Sequence, residues 1–251
     1  LRKDIFKFQQ FLRQMSGGRF SRSAMLYGKE AQAKIESASV AICGVGAVGS
    51  FALEALARIG IGKFYLFDFD AVEISNITRQ LCALTSTIGK KKVEVAAARV
   101  ADINPAAKVL CFEKFIGESN CADIINCSPD VIVDAIDSIS SKAALISSAL
   151  RAGVPVVSSM GAARRTDASK ICVARLFKTF NCPMAARLRK QLRALGVEKA
   201  PVECVFSSEA APANTHETSG DGKKIVGSTP IVTGIFGLRL AGLALDEILK
   251  K

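Results

Sequence analysis

The sequence predicts an α/β protein, a mostly parallel sheet with helices on both faces, and three observations predict it. Apolar runs of strand length alternate with segments of helical spacing from residue 38 to residue 160. The first strand runs straight into Gly44-Val-Gly-Ala-Val-Gly49, with a helical segment behind it and Asp68 closing the next strand. The 251 residues are 49% apolar and 23% charged with mean hydropathy +0.28. That balance excludes a disordered tail, a collagen and a coiled-coil rod, and it allows a core that folds without staples.

The elements follow in order. Residues 38 to 43 form a short buried strand, and Ser50 to Ile59 form a helix that Gly60 and Gly62 end. Residues 63 to 67 are strand-like and close on Asp68-Phe69-Asp70. Residues 89 to 103 read as a helix whose end is fixed by Asn104-Pro105. Strand 108 to 113, helix 118 to 126, strand 130 to 136, helix 139 to 152 and strand 154 to 159 continue the alternation. This is the order of a Rossmann-like, doubly wound sheet. Beyond Gly161 the rhythm changes to a C-terminal strand and helix extension: strand 170 to 176, helix 183 to 195 and strand 202 to 207. A polar stretch over 208 to 224, expected to be mobile, then leads to helix 229 to 250. That last segment is apolar but carries Arg239, Asp246 and Glu247, so it reads as a packed helix rather than a membrane anchor.

Composition narrows the function classes. With no Trp, 2 Tyr and 6% aromatics, a surface built on stacking bases against rings is not expected. The eight cysteines are scattered through a large core and read as reduced thiols. No two of them form a CxxC pair and His216 is the single histidine, so a zinc site of the usual spacing has no ligand set. The first thirty residues are charged rather than signal-like and no apolar run reaches membrane length, so a cytoplasmic protein with no membrane partner is expected. The net charge of +11 is segregated: residues 1 to 34 hold eight basic and two acidic side chains, and residues 151 to 200 hold eleven and two. Two basic flanks around a slightly acidic centre point to a polyanion bound beside a catalytic site.

Gly44 and Gly46 let the backbone turn tightly near phosphate, Gly49 lets helix and strand pack, and Asp68 stands where a carboxylate accepts ribose hydroxyls. Both NAD and ATP satisfy these features. The next stretch separates them, because hydride transfer does not call for cations at the phosphate end. Asn76, Arg79, Gln80 and Lys92 follow the ribose acid closely. Arg79 and Lys92 can neutralise a triphosphate, and Asp137, at the end of Asp134-Ala-Ile-Asp137, can hold Mg²⁺ through one carboxylate. Among the cysteines, Cys204 and Cys43 read as buried hydrophobes and Cys182, before Pro183, as a helix-entry residue.

Together, Gly44 to Gly49, Asp68-Phe-Asp70, Asn76-Ile-Thr-Arg79-Gln80, Gly89-Lys-Lys-Lys92 and Asp134-Ala-Ile-Asp137 resemble the adenylation core of the ThiF, MoeB and ubiquitin-activating superfamily. The resemblance covers essentially residues 19 to 250. It implies a single adenylation domain over 1–251, with an N-terminal basic arm (1–37), a nucleotide-binding core (38–161) and a basic, tRNA-facing and dimer-forming extension (162–251). It also implies ATP and Mg²⁺ as cofactors, with ribose on Asp68, phosphates on Arg79 and Lys92, and magnesium on Asp137, while Asp70, Asn76 and Gln80 complete the nucleotide site. Arg22, of Arg19-Phe-Ser-Arg22, corresponds to an arm arginine that reaches the ATP of the partner subunit in a homodimer. Arg19 and Arg22 precede the first strand by about twenty residues, an extended span of roughly 60–70 Å.

Within the superfamily, members that activate carrier proteins usually carry paired CxxC zinc motifs, which this chain lacks. It resembles instead the TcdA-type branch, the tRNA threonylcarbamoyladenosine dehydratases. The segments that carry this likeness are Asp137-Ser138, Lys142-Ala-Ala-Leu-Ile146, Lys178-Thr179, Pro183-Met-Ala-Ala-Arg187-Leu-Arg189 and Val202 to Glu209. The branch implies ATP-dependent cyclisation of threonylcarbamoyladenosine in tRNA and leaves room for a sulfur-relay partner; the second basic flank is expected to hold the tRNA, on Arg164, Arg165, Arg187, Arg189, Lys190 and Arg193. Three rivals differ in what they predict. Adenylation of the C-terminus of a ubiquitin-like or sulfur-carrier protein predicts pyrophosphate exchange that depends on that protein. A non-catalytic nucleotide-binding scaffold predicts binding without AMP, and a nicotinamide oxidoreductase predicts a hydride site that nothing after Asp68 supplies.

Overall fold

The computed structural model describes residues 18–210, 216–218 and 224–250; residues 1–17 of the expected arm, and 211–215 and 219–223 of the expected mobile stretch, lie outside the described residues. Two helices lead in, α1 (Ser21–Tyr27) and α2 (Lys29–Ser37). Alternation then begins with β1 (Ser39–Cys43), α3 (Gly49–Ile59), β2 (Lys63–Phe67), α4 (Lys92–Ile103) and β3 (Lys108–Phe112). It continues through α5 (Cys121–Asn126), β4 (Val131–Asp134), α6 (Ile139–Ala152) and β5 (Val156–Ser159). The extension supplies β6 (Ile171–Arg175), α7 (Pro183–Ala194), β7 (Glu203–Ser207), β8 (His216–Thr218), β9 (Lys224–Val226) and α8 (Pro230–Lys250).

Seven strands form one sheet in the order β3-β2-β1-β4-β5-β7-β6, parallel throughout except where β6 runs against β7. The side-chain alternation of the strands divides the core in two. Val40, Ile42, Phe64, Leu66, Val131 and Val133 face α2, α3, α4 and α8, whereas Ala41, Cys43, Tyr65, Phe67 and Ile132 face α5, α6 and α7. Central strands buried on both faces explain why their sequences read as unbroken apolar runs. The last helix, α8, buries Phe236, Leu240, Ala244 and Ile248 over α3 and the middle of the sheet. Among the described residues no helix is long and apolar enough to cross a membrane.

Two expectations need correction, and one stretch gains detail. The arm is not extended over its described part: α1 and α2 wind residues 21–37, cutting its rise to about 1.5 Å per residue. The Arg19 guanidinium also pins its start to the Ile103 carbonyl at 2.7 Å. Within and just after the stretch 208–224, His216–Thr218 and Lys224–Val226 pair antiparallel. Finally, the helix expected from residue 89 starts at Lys92, since Lys91 is extended and bridges Ala71.

Candidate active site

A cleft of about 440 Å³ opens at the carboxyl ends of β1, β2, β4 and β5, where the strand order turns back on itself beside β1. Its floor is the glycine turn. Gly44 holds φ +90°, and a Cβ on Gly49 would meet the Gly44 carbonyl oxygen at 1.8 Å, so the start of the turn and the first residue of α3 each require glycine.

Asp68, at the end of β2, is buried and clips this turn in place. Its Oδ2 accepts from the Val45 N–H at 2.7 Å and its Oδ1 from the Asp70 N–H at 2.9 Å. Burial pushes its carboxyl pKa up, opposed by the Asp70 N–H and the Lys92 charge. Lys92, the first residue of α4, is buried and donates to Asp70 Oδ2 at 2.6 Å. A 3₁₀ turn over Ile74–Thr78 carries Asn76 inward, its Oδ1 accepting from the Glu73 N–H at 3.2 Å. Arg79 follows, half-buried, its Nη1 donating to the Ser75 carbonyl at 3.0 Å, and Gln80 is buried. All of these residues and Gly46 line the one cleft.

The opposite wall is the turn after β4. Asp134 and Lys142 form an ion pair at 2.9 Å with both side chains 0% exposed. Ser158 Oγ donates to Asp134 Oδ2 at 2.6 Å, the Ile136 N–H reaches Asp134 Oδ1 at 3.2 Å, and Lys142 donates to the Ile136 carbonyl at 2.9 Å. Every atom of this buried network holds the turn that presents Asp137, exposed, to the cleft.

Several lining residues were not foreseen. Phe69 and Phe115 meet edge to face, centroids 5.2 Å apart and each half exposed, with Lys114 beside them. Phe69 sits inside a motif already marked, but only sheet register brings the chain after β3 to the cleft, and register leaves no spacing signal. At the far end Ser159, Met160, Gly161, Met184 and Thr233 complete the wall.

Other expected residues lie elsewhere. Arg22 is exposed on α1 and does not line its own chain's cleft. Arg187, Lys190 and Arg193 form an exposed basic face on α7, Arg193 resting over the Phe177 ring at 5.3 Å. Arg189 is committed to the preceding turn, donating to the Thr179 carbonyl at 3.2 Å and to the Thr179 hydroxyl. Arg164 is half-buried, at φ +61°, with its N–H on the Gly227 carbonyl at 2.9 Å. Arg165 is 3% exposed and so is not part of a solvent-facing basic face. All eight cysteines are free thiols. Cys204 does not line the cleft; it donates to the Ala174 carbonyl at 3.2 Å, and burial pushes its thiol up to about 12. Cys182 is the N-cap residue of α7.

Residues 20–251 match the profile of the ThiF family. A tRNA threonylcarbamoyladenosine dehydratase of Bacillus subtilis is 38% identical over 241 residues, covering 92% of this chain and 94% of that protein. The enzyme of the same name from Escherichia coli is 36% identical over 252 residues, covering 93% and 94%. Crystal structures of the E. coli tRNA N6-threonylcarbamoyladenosine dehydratase, TcdA, in complex with ATP and with AMP superpose with TM-scores of 0.86 at 37% and 38% identity, covering 93% of this chain and 94% of theirs.

Proposed function

The chain belongs to the ThiF family, and on that footing we propose that it is an ATP-dependent tRNA threonylcarbamoyladenosine dehydratase. The observation that carries this reading is the end-to-end likeness to dehydratases, one of them solved with ATP and with AMP. The enzyme adenylates the threonyl carboxylate of the modified adenosine: a carboxylate oxygen bonds to the α-phosphorus and pyrophosphate leaves. The carbamoyl group of the same side chain then attacks the activated carbonyl, the ring closes and AMP departs, with net loss of water.

Within the cleft, Asp68 binds the ribose hydroxyls, and the glycine turn with the first turn of α3 receives phosphate on backbone N–H groups. Arg79 and Lys92 balance the charge that grows on the α-phosphate and on the leaving pyrophosphate, and Asn76, Gln80 and Asp70 hold that wall in place. The reacting groups belong to one side chain, so positioning does the work that a strong general base would otherwise do. The donor set fits magnesium: Asp137 offers hard carboxylate oxygens to the cleft, and the Lys92 ammonium engages Asp70 instead. Asp137 is the residue that would hold the ion, which neutralises phosphate charge when bound.

The exposed cations of α7 give the tRNA backbone a path to the cleft, since Met184 of the same helix lines it. We further infer a homodimer that completes each site. On α1, Met25 and Leu26 are 85% and 76% exposed and no residue of the helix is buried. Such an apolar face beside Arg22 suits a second copy of this chain.

Mass spectrometry of tRNA nucleosides after incubation with the protein and ATP tests the reaction. The expected product is threonylcarbamoyladenosine lighter by one water, with one AMP per ring. AMP formation that depends on a small carrier protein and ignores tRNA would overturn the reading.

A further inference from the structure

The two ends of the cleft differ in chemistry. The glycine turn, Asp68, Arg79 and Lys92 gather after β1 and β2, whereas Ser159, Met160 and Gly161 lie at and just after the end of β5, two strands beyond β1. Among the described residues no charged side chain lines the β5 end; the nearest along the sheet is Asp137, after β4. An in-line displacement at phosphorus brings the attacking oxygen in opposite the leaving group. With pyrophosphate leaving toward Arg79 and Lys92, the attacking carboxylate comes from the β5 end.

That end has two unlike sides, and the alternation along β5 separates them. Val157 packs in the core beneath α8, so Ser159, two residues on, faces the same layer, where Thr233 in the first turn of α8 also lines the cleft. Both hydroxyls are buried, and each has spent its single proton on a carbonyl: Ser159 Oγ on Met160 at 3.1 Å, and Thr233 Oγ1 on Thr229 at 3.1 Å. Lone pairs remain on each, so the side chains here receive a hydrogen-bond donor. Met160 and Met184 belong to the other layer, packed with the core under α7. Their unbranched, polarisable side chains close round an apolar group.

We propose that this end of the cleft reads the threonine side chain of the substrate. Its β-hydroxyl donates to a hydroxyl oxygen on the Ser159 and Thr233 side, its methyl group lies against Met160 and Met184, and its carboxylate, with no cation at this end, faces the phosphates. The inference rests on the dehydratase reading and deepens it, by naming what tells one amino acid from another. Hydroxyl and methyl share one tetrahedral carbon. With the carboxylate and the carbamoyl group held, inverting that carbon exchanges the two and puts each against the wrong side.

The test uses anticodon stem-loops whose carbamoyladenosine carries threonine, allo-threonine, valine or serine, with kcat/KM for the cyclised nucleoside as the readout. The wild type should prefer threonine to valine by about tenfold or more, the cost of leaving buried polar groups without a donor. It should prefer threonine to allo-threonine at least as strongly, and threonine to serine by about tenfold for the missing methyl. Ser159→Ala with Thr233→Val should bring the threonine-to-valine ratio to within about threefold of one. The Thr229 carbonyl stays paired in that variant through the Thr233 N–H at 3.2 Å. Met184→Ala should lower the threonine-to-serine ratio instead. A rise in Tm with ATP, equal to that of the wild type, checks that the nucleotide end is intact in each variant. If the double variant does not fold, Thr233→Ser keeps the hydroxyl and should keep the threonine-to-valine ratio, whereas Thr233→Ala should lower it; equal ratios in these two and in Ser159→Ala overturn the site. Allo-threonine or valine used as well as threonine by the wild type, or a double variant that loses equally on threonine and valine, overturns it as well. Absence of cyclised nucleoside from the threonine stem-loop with the wild type overturns the dehydratase reading and this site with it, whereas normal cyclisation without discrimination overturns the site alone.

Discussion

Asp68 holds the glycine turn with the same carboxylate that we propose binds ribose, and its burial sets opposite pH trends for folding and for binding. Its carboxyl pKa is raised above 3.8, so in the empty protein its contribution to stability is fully present below that value and is lost as pH rises through the folded pKa. Binding needs the ionised acceptor. ATP affinity should therefore begin to fall on acidification at a higher pH than for an ordinary aspartate, and Asp68→Asn should remove that acid limb; calorimetric titration across pH checks both. Asp137 is exposed, so Asp137→Ala should change stability by less than about 0.5 kcal/mol while abolishing AMP formation. Near-normal turnover would remove it from the site. Cys204, with its thiol pushed up to about 12, stays protonated at neutral pH, and Cys204→Ser should retain most single-turnover ring closure. A loss of about a thousandfold at unchanged stability would make it a catalytic group. At this scale the sequence was most legible where chemistry and spacing coincide, as at Asp68, Arg79, Lys92 and Asp137. The burial of Arg165 was not legible, because a string of basic residues does not say which of them the fold encloses.

The turn between β4 and α6 carries Asp137 on a clamp that faces no solvent. Lys142→Met would leave Asp134 charged and uncompensated at 0% exposure, which should cost about 3–5 kcal/mol in denaturant unfolding. The double variant Asp134→Asn, Lys142→Met should recover part of it. On α7, neutralising Arg187, Lys190 and Arg193 together should weaken tRNA binding and flatten its salt dependence, with the KM for ATP unaltered. An unchanged salt slope would rule out a path over this helix. The helices and strands of the core were legible because each has one periodicity and a Gly, Asn-Pro or acid at its end. The β8–β9 pairing was not, since three-residue strands fall below the length at which alternation can be read. The arm failed for a related reason: α1 has no buried side of its own, so no amphipathic pattern announces it.

For the whole molecule, a site completed across a dyad predicts complementation. Arg22→Ala and Asp137→Ala should each be inactive, and mixed heterodimers should regain one working site that takes its arginine from one chain and its carboxylate from the other. Confirmed subunit exchange without activity would confine each arm to its own chain. Both the sheet order and the place of the cleft follow from alternation and a glycine turn, so the architecture was legible from β1 to β5, whereas the antiparallel return of β6 against β7 was not, because nothing local encodes the direction of a late strand. That order also has a consequence in time. The register pairs Val40 with Val131, so β4, one of the two strands beside β1, is made some ninety residues after it, and β7, which separates β5 from β6, comes later still. On a ribosome the β1-β2-β3 unit can gather first, with its glycine turn and Asp68, but one wall of the nucleotide site is missing until β4 emerges. ATP cannot template the early chain, and nucleotide added during refolding should leave the first phase untouched and act only on the last.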